Sequence, residues 1–224
     1  MNNGTQKPRK SGWLYAFVKR VSDIVLALVL TVLFAPLSLL IFLLILLRDP
    51  GNPFYLHRRV GQNGKDIKVL KFRTMRKNAT LSPQEAELYR QEYKLPDDSR
   101  LIGYKRAGDG RRSFGAILRR TSMDELPQLW YNVLLCGNMS LVGPRPVLKE
   151  ELVRYYSEEE QALFLSVKPG VTGYWQAYAR NNALYQNGER QKMELYYARH
   201  RSLWLDLKIL FRTVVAVFAK TGAK

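Results

Sequence analysis

Asp124 and Glu125 are adjacent carboxylates in the run Arg119-Arg120-Thr121-Ser122-Met123-Asp124-Glu125-Leu126-Pro127, closely following a basic pair. One acid of such a pair can attack as a nucleophile while the other takes a proton. Both can also hold Mg²⁺, which commonly takes one or two carboxylates and fills its shell with substrate phosphate oxygens. The same residues satisfy a purely structural pattern. Ser122 through Glu125 has the spacing of a capping box, and acids in a first helical turn complement the helix dipole. Spacing alone leaves both readings open.

Three further groups carry cations or polar groups suited to phosphate and sugar. Arg145 stands between two prolines in Gly143-Pro144-Arg145-Pro146, and a guanidinium on a stiff backbone loses little freedom on binding phosphate. Lys71 and Arg73, in Lys71-Phe72-Arg73-Thr74-Met75, alternate onto one face of a strand and could hold a diphosphate, with Phe72 inward. Lys168 to Gln176, followed by Arg180-Asn181-Asn182, mixes glycines, aromatics and amides that could cradle a base and a sugar. The plain alternatives are a basic surface loop for Arg145 and a solvated strand face for Lys71 and Arg73.

Composition limits the chemistry. With one cysteine, Cys136, and two histidines, His57 and His200, the chain has no intrachain disulfide and no usual zinc set. No glycine-rich nucleotide-binding motif occurs. Thirty-six Lys plus Arg against 19 Asp plus Glu give a net charge of +17 over 224 residues, which points to a polyanionic partner. Nucleic acid, an anionic membrane surface and phosphorylated substrates all qualify. Mean hydropathy is −0.26, which excludes a polytopic membrane protein.

The elements that must position these groups begin with an uncharged run, Ile24–Leu47. It exceeds the ~20 residues that span a bilayer. Pro36 at its centre predicts a kink, and basic residues flank both ends, so no inside–outside asymmetry is expressed. A kinked span and a re-entrant turn at Pro36 both remain open. Short strands are expected at Phe54-Tyr55 and Ile67–Phe72 around the turn Gly61–Gly64. A capping box, Ser82-Pro83-Gln84-Glu85, opens a helix to about Tyr93. Helical spacing covers Leu126–Leu134, a loop Gly137–Pro146, one helix Glu150–Leu165 and another about Glu189–Arg199. Ser202–Ala219 reads as a basic amphipathic helix whose Trp204, Phe211 and Phe218 suit a membrane interface or a packed core.

Together, Lys-Phe-Arg-Thr-Met, Thr-Ser-Met-Asp-Glu-Leu-Pro-Gln, Leu-Val-Gly-Pro-Arg-Pro and Lys-Pro-Gly-Val-Thr-Gly closely resemble the bacterial sugar transferases, the monotopic phosphoglycosyl transferases, from about Lys19 to Arg212. The resemblance implies an α/β fold, mainly α: a basic tail (1–18), a re-entrant membrane helix (19–48), a cytoplasmic catalytic domain (49–200), and a basic interfacial helix and tail (201–224). The chain looks like the minimal catalytic unit of the family. The implied reaction moves a sugar 1-phosphate from a nucleoside diphosphate sugar, usually UDP-linked, to undecaprenyl phosphate and releases UMP. It is the first membrane step of exopolysaccharide, O-antigen or glycoconjugate assembly.

By the same resemblance Asp124 attacks the phosphate nearest the sugar and carries a covalent phosphosugar. Glu125 assists deprotonation of the lipid phosphate, and both acids support Mg²⁺. Arg119 and Arg145 are the implied phosphate-binding arginines. The residues themselves add Lys71 and Arg73 as candidate phosphate ligands and Gln176 and Arg180 as candidate nucleotide or sugar ligands. The implied location is the cytoplasmic face of the bacterial inner membrane, on anionic lipid, without nucleic acid, with a homodimer among the allowed states. Where the family usually breaks its membrane helix at Ser-Pro, this chain has Ala35-Pro36. The competing reading is a membrane-tethered, non-enzymatic binder of anionic lipid or nucleic acid. A lipid phosphatase or another phosphotransferase using the same acid pair is a further alternative.

Overall fold

The apolar run folds as two helices in the computed structural model, which describes residues 12–92, 95, 97–105, 108, 112–179 and 187–218. Helix α1 covers Trp13–Leu33 and α2 covers Ala35–Arg48, with a bend of 59° at the break. The backbone turns at Phe34 (φ −92°, ψ 4°), one residue before α2 begins. Pro36 lies in the first turn of α2, where N–H groups have no intrahelical partner and the fixed φ of proline suits a helix start. The Ser38 N–H then closes the turn on the Phe34 carbonyl at 2.8 Å. Among the described residues no single helix is long and apolar enough to cross a membrane; the bent pair together has that length and composition.

Two compact units form, each from separated stretches of chain. The first, here the acid-pair unit, takes Val32–Leu56 and Leu70–Pro127. Its core joins Ile41 and Ile45 of α2 to Phe72, Ile102 and Leu118. Ile41 and Ile45 are four apart, so they share one face of α2, and each such burial contributes about 1.5–3 kcal/mol. Strands β1 (Phe54–Val60) and β2 (Asp66–Phe72) pair as a two-stranded sheet, and their inner ends bring Phe54 and Phe72 into a stack at 5.5 Å. Strand β1 extends beyond Tyr55 through a charged segment. A hairpin edge facing water tolerates those charges, so hydrophobicity marks only part of the strand.

Helix α3 (Pro83–Glu92) starts at the expected capping box: Ser82 N–H donates to Glu85 Oε2 at 2.9 Å, and Glu85 N–H to Ser82 Oγ at 3.2 Å. The Ser82 N–H, with further hydrogen bonds from Ser99, holds the Glu85 carboxyl down at about 2. Helix α4 (Phe114–Thr121) is capped by Ser113 and docks through Gly115. Gly115 N–H donates to the Ile102 carbonyl and Ile102 N–H to the Thr74 carbonyl, both at 2.9 Å. A Cβ at position 115 would lie 2.2 Å from the Thr74 carbonyl, so only glycine permits this approach.

The second unit, the Pro-Arg-Pro unit, takes the described residues of Met1–Thr31, His57–Val69 and Gln128–Lys224. Leu129–Leu135 is a π-helix, with Cys136 N–H donating five residues back to the Tyr131 carbonyl at 2.8 Å. The apolar spacing there fitted an ordinary helix, since one widened turn hardly changes the pattern. The stretch expected as a loop contains β3 (Ser140–Val142), which pairs in parallel with β4 (Gly170–Thr172) in the register Ser140–Gly170 and Val142–Thr172. Three-residue strands leave no periodicity to read, which is why neither was expected.

The single helix expected over Glu150–Leu165 is two, α5 (Lys149–Tyr155) and α6 (Glu158–Leu165). Ser157 starts α6 with its own capping box to Glu160, a start signal inside an apolar run. Short α7 (Tyr174–Tyr178) precedes α8 (Glu189–His200) and α9 (Leu203–Phe218). Val147, Leu152, Phe164, Leu195 and Ala198 lie in the core that packs α5, α6 and α8 together. On α9 the inward positions are Asp206 and Ile209, while Trp204, Leu207, Phe211 and Val214 are exposed. Among the described residues the protein is mainly helical with two small sheets, in line with an α/β class.

Within this unit a polar cluster ties α1 to β3, α8 and α9. Lys19 Nζ lies 3.6 Å from Asp23 Oδ1 and 2.9 Å from Asp206 Oδ2. Asp23 accepts from the Ser140 hydroxyl at 2.7 Å and from Leu141 N–H at 3.2 Å. The Tyr197 hydroxyl meets Asp206 Oδ1 at 2.7 Å.

Candidate active site

Asp124 and Glu125 are held on a tight turn between two helical segments. Helix α4 ends at Ser122, whose φ of 58° is left-handed, and a 3₁₀ turn covers Met123–Glu125. Ser122 makes no side-chain cap, so the capping-box reading of Ser122–Glu125 is overturned. Instead, Ser122 N–H bonds the Arg119 carbonyl at 3.3 Å and Glu125 N–H bonds the Ser122 carbonyl at 3.1 Å. The chain thus reverses between Arg119 and the acids. A non-glycine residue in this conformation costs of order 1–3 kcal/mol, and such cost concentrates at functional turns.

Both carboxylates converge on one ammonium. Lys71 Nζ, from the end of β2, donates to Glu125 Oε1 at 2.6 Å and lies 3.6 Å from Asp124 Oδ2. The three side chains retain 10–18% accessibility, so the group is enclosed but reachable. Two acids with one lysine leave a net negative charge, and a nearby arginine offsets it. Arg119 Nε donates to the Thr74 hydroxyl at 2.8 Å, and its Nη1 lies 3.9 Å from Asp98 Oδ2. Surrounding protein lowers the Arg119 pKa, an effect opposed by the charges of Asp124 and Asp98. With 41% of its side chain accessible, this guanidinium can still receive an anion from solution.

Arg73 does not join Lys71 as a diphosphate clamp. Its guanidinium is bound to the Asp49 carboxylate and backbone carbonyl, to the Asn52 carbonyl at 2.7 Å and to the Met75 carbonyl at 3.3 Å. It fastens the end of α2 to the strand end, a fold role. Its alternation with Lys71 was legible; that Asp49 would be waiting for it was not. Asp49 also accepts from Lys77 N–H at 3.0 Å, and these bonds lower its pKa.

The fit to a divalent cation can be judged from the donors. Among the described residues no group of three or more His, Cys, Asp or Glu converges. Asp124 and Glu125 do converge, at the position taken by the Lys71 ammonium. Two carboxylates suit a magnesium ion that draws its other oxygens from substrate and water, and would not hold one alone.

In the Pro-Arg-Pro unit, β3 and β4 meet through glycines that a side chain would push apart. A Cβ on Gly143 would lie 2.3 Å from the Lys168 carbonyl, and one on Gly173 would lie 2.2 Å from the Gly143 carbonyl. The loop leaving β3 therefore has a fixed origin. The Arg145 backbone N–H donates to Glu194 Oε2 at 3.1 Å, and its guanidinium lies over the Trp175 ring at 5.8 Å. Gln176 donates to the Val171 carbonyl at 3.2 Å, and its Oε1 is buried without a hydrogen-bond partner among the described residues. Arg180 lies outside the described residues.

The sequence as a whole matches the Bacterial sugar transferase family over residues 14–220. The chain belongs to the bacterial sugar transferase family. The acid pair, the lysine on them and the Pro-Arg-Pro loop all fall within that match. The chain is similar to a UDP-galactose-lipid carrier transferase of Erwinia amylovora, 39% identical over 92% of this chain and 42% of the other. It is similar to the exopolysaccharide production protein ExoY of Rhizobium meliloti, 39% identical over 92% of this chain and 87% of the other. It is also 36% identical to an undecaprenyl-phosphate galactose phosphotransferase of Salmonella typhimurium, over 92% of this chain and 42% of that one. The chain thus spans less than half the length of the Erwinia and Salmonella relatives.

Asp98, Thr74 and Glu194 escaped the sequence reading. Thr74 adjoins the Lys-Phe-Arg stretch, and Glu194 is one turn from Arg190. Neither neighbour relation marks a residue as a partner of Arg119 or Arg145 without the fold.

Proposed function

We propose that this protein transfers a sugar 1-phosphate from a UDP-sugar to undecaprenyl phosphate. The observation that carries the reading is the adjacent Asp124–Glu125 pair gathered on Lys71, with Arg119 preceding it on the same turn. Membership of the family and the relatives' stated roles support it, and they do not favour a non-enzymatic binder.

In the first step an Asp124 oxygen attacks the phosphorus bearing the sugar. The bond from that phosphorus to the bridging oxygen breaks, and UMP leaves with the electron pair. In the second step an oxygen of undecaprenyl phosphate attacks the same phosphorus and Asp124 is released as carboxylate. Glu125 takes the proton from the lipid phosphate when it arrives protonated. Phosphoryl transfer chiefly demands positioning and neutralised charge. Lys71 holds both acids in place until substrate competes for its ammonium, and Arg119 receives an equatorial phosphate oxygen. Arg145 is read as a second phosphate ligand. Asp124 and Glu125 would hold Mg²⁺, which supplies charge neutralisation for the phosphates.

The bent pair α1–α2 is read as a re-entrant hairpin at the cytoplasmic face of the inner membrane. Its support is the 59° bend at Phe34, basic residues on both flanks, and apolar side chains exposed along both helices and on α9. An amphipathic helix that turns its apolar face outward gains by lying in the membrane interface.

The test of the reaction is trapping. Wild-type protein in detergent is incubated with UDP-galactose or UDP-glucose labelled in the phosphate next to the sugar, with no lipid acceptor. Retained label mapped to Asp124, and released on adding undecaprenyl phosphate, is the expected result. Turnover with label never attached to protein under rapid quench would overturn the two-step reading.

A further inference from the structure

Lys71, Arg73 and Thr74 lie together at the end of β2, and their side chains go to three different places. Lys71 reaches the acid pair, Arg73 reaches Asp49, and the Thr74 hydroxyl accepts from Arg119 Nε at 2.8 Å. The lysine holds the acids and Arg73 fastens α2. Thr74, 7% exposed, takes part in neither task.

The Thr74–Arg119 bond follows from how α4 docks. Gly115 and Arg119 are four residues apart, so they share one face of that helix. Gly115 brings this face against the Thr74 backbone, where a Cβ would lie 2.2 Å from the Thr74 carbonyl. The same carbonyl accepts from Ile102 N–H at 2.9 Å, and the Arg100 carbonyl accepts from Arg76 N–H at 2.7 Å. The two chain segments are paired between these bonds through Met75 and Leu101. Thr74 is therefore fixed along α4, and its hydroxyl meets Arg119 at a set place.

The chemistry of the acceptor matters. Arg73 is bound to a carboxylate, which offsets its charge as well as directing it. Thr74 is neutral, so it directs the Arg119 guanidinium and leaves its charge unaltered. Asp98 Oδ2 stays 3.9 Å from Arg119 Nη1, outside hydrogen-bond distance. That carboxylate is held by three donors of Arg100, the N–H at 3.1 Å, Nε at 2.8 Å and Nη2 at 2.9 Å. Arg100 in turn lies over the Tyr89 ring at 5.0 Å. A guanidinium is a planar fork, and its contact with phosphate depends on the direction of that plane. A long, rotatable side chain has no such direction by itself; a bond at Nε supplies it.

We propose that Thr74 is a positioning residue for the sugar-phosphate transfer: its hydroxyl sets the Arg119 guanidinium to receive the phosphate that Asp124 attacks. The role rests on the reading of Arg119 as a phosphate ligand. It makes Lys71–Thr74 a common support for the site, with Lys71 directing the acids and Thr74 directing the cation.

Two variants separate this role from a plain packing contact. Thr74→Val keeps the shape and removes the hydroxyl, and Thr74→Ser keeps the hydroxyl. The protein in detergent is treated with phenylglyoxal, and the modification rate of Arg119 is followed by peptide mass spectrometry. Arg119 should react several-fold faster in Thr74→Val than in wild type, and Thr74→Ser should restore the slower rate. Nucleoside monophosphate release from UDP-galactose or UDP-glucose with undecaprenyl phosphate gives the second readout. Thr74→Val should lower kcat about 10- to 100-fold while KM changes by less than about threefold, because misdirection is felt most where charge spreads in the transition state. Thr74→Ser should recover most of the loss. In an Arg119→Gln background Thr74→Val should cost almost nothing further. An unchanged Arg119 modification rate, or a wild-type kcat, in Thr74→Val overturns the role of Thr74 and leaves the Arg119 reading standing. A loss that persists undiminished in the Arg119→Gln background overturns it too, since Thr74 would then act on the fold. Arg119→Gln with wild-type turnover removes the Arg119 reading itself, and the role of Thr74 with it.

Discussion

Among the described residues, two places set a pair of acids around one lysine. Lys71 lies 2.6 Å from Glu125 and 3.6 Å from Asp124; Lys19 lies 2.9 Å from Asp206 and 3.6 Å from Asp23. Accessibility does not separate them, since all six side chains retain only 9–18%. Their connections do. Asp23 and Asp206 belong to α1 and α9, and their carboxylates also accept from the Ser140 hydroxyl, the Leu141 N–H and the Tyr197 hydroxyl. That cluster fastens helices together. Asp124 and Glu125 are neighbours on a single turn next to an accessible arginine, so their lysine sets the direction of two side chains that stay within reach of a ligand. The same ion-pair geometry serves architecture in one unit and, in the proposed reaction, chemistry in the other.

The largest effect should come from exchanging the two aspartates' fates. Asp124→Asn is expected to lower turnover by about a thousandfold or more, as loss of a covalent nucleophile does. It should leave the melting temperature nearly unchanged. Asp23→Asn should show the opposite pattern, a lower melting temperature with activity retained in the folded fraction. Nucleoside monophosphate release and thermal unfolding in detergent report the two. A folded Asp124→Asn protein with near wild-type turnover would return that pair to a structural role.

The lysines sharpen the contrast. Lys19→Met leaves two enclosed acids without their cation and should destabilise the protein by about 3–5 kcal/mol. Lys71→Met should cost less stability, because Arg119 still offers its charge to Asp124, yet it should abolish most turnover. Equal stability losses would show that the acid-pair cluster is structural as well. Chemical denaturation of the two variants side by side decides it.

A smaller effect is set by pH. The Glu194 carboxyl, near 7 in the folded protein against an ordinary 4.5, holds a proton that the unfolded chain gives up. Its contribution to stability is therefore complete below pH 4.5 and is lost as pH rises through 7, a change of about 3 kcal/mol. Asp206 is displaced upward by burial in the same direction, with Lys19 and Tyr197 opposing. Glu194→Gln should flatten the pH dependence of unfolding across that window. A profile that keeps its wild-type slope would locate the titration elsewhere.

Smallest is the loss of a single bond in the architectural cluster. Ser140→Ala should cost about 1–3 kcal/mol by leaving Asp23 short of a donor, with KM for both substrates unchanged. A raised KM would show that strand β3 communicates with the Arg145 loop that follows it.

Contiguity decided what could be read from the residues alone. Asp124, Glu125 and Arg119 lie within one short segment, so their types and spacing already announced an acid pair beside a cation. Arg145 between its prolines, the Ser82 capping box and the long apolar run were legible for the same reason, because each is a local pattern with a local physical cause. Lys71 was marked as a cation on a strand face, but only the fold turned it onto the acids while turning Arg73 onto Asp49. The π-turn, the paired three-residue strands and the division of Glu150–Leu165 depended on where backbone bonds closed, which hydrophobic spacing does not encode. Tertiary structure alone joined Thr74 to Arg119, Glu194 to Arg145 and Asp206 to Lys19. These contacts join residues from 45 to 187 positions apart. A charge or hydroxyl in sequence carries no record of such a partner; close packing supplies it.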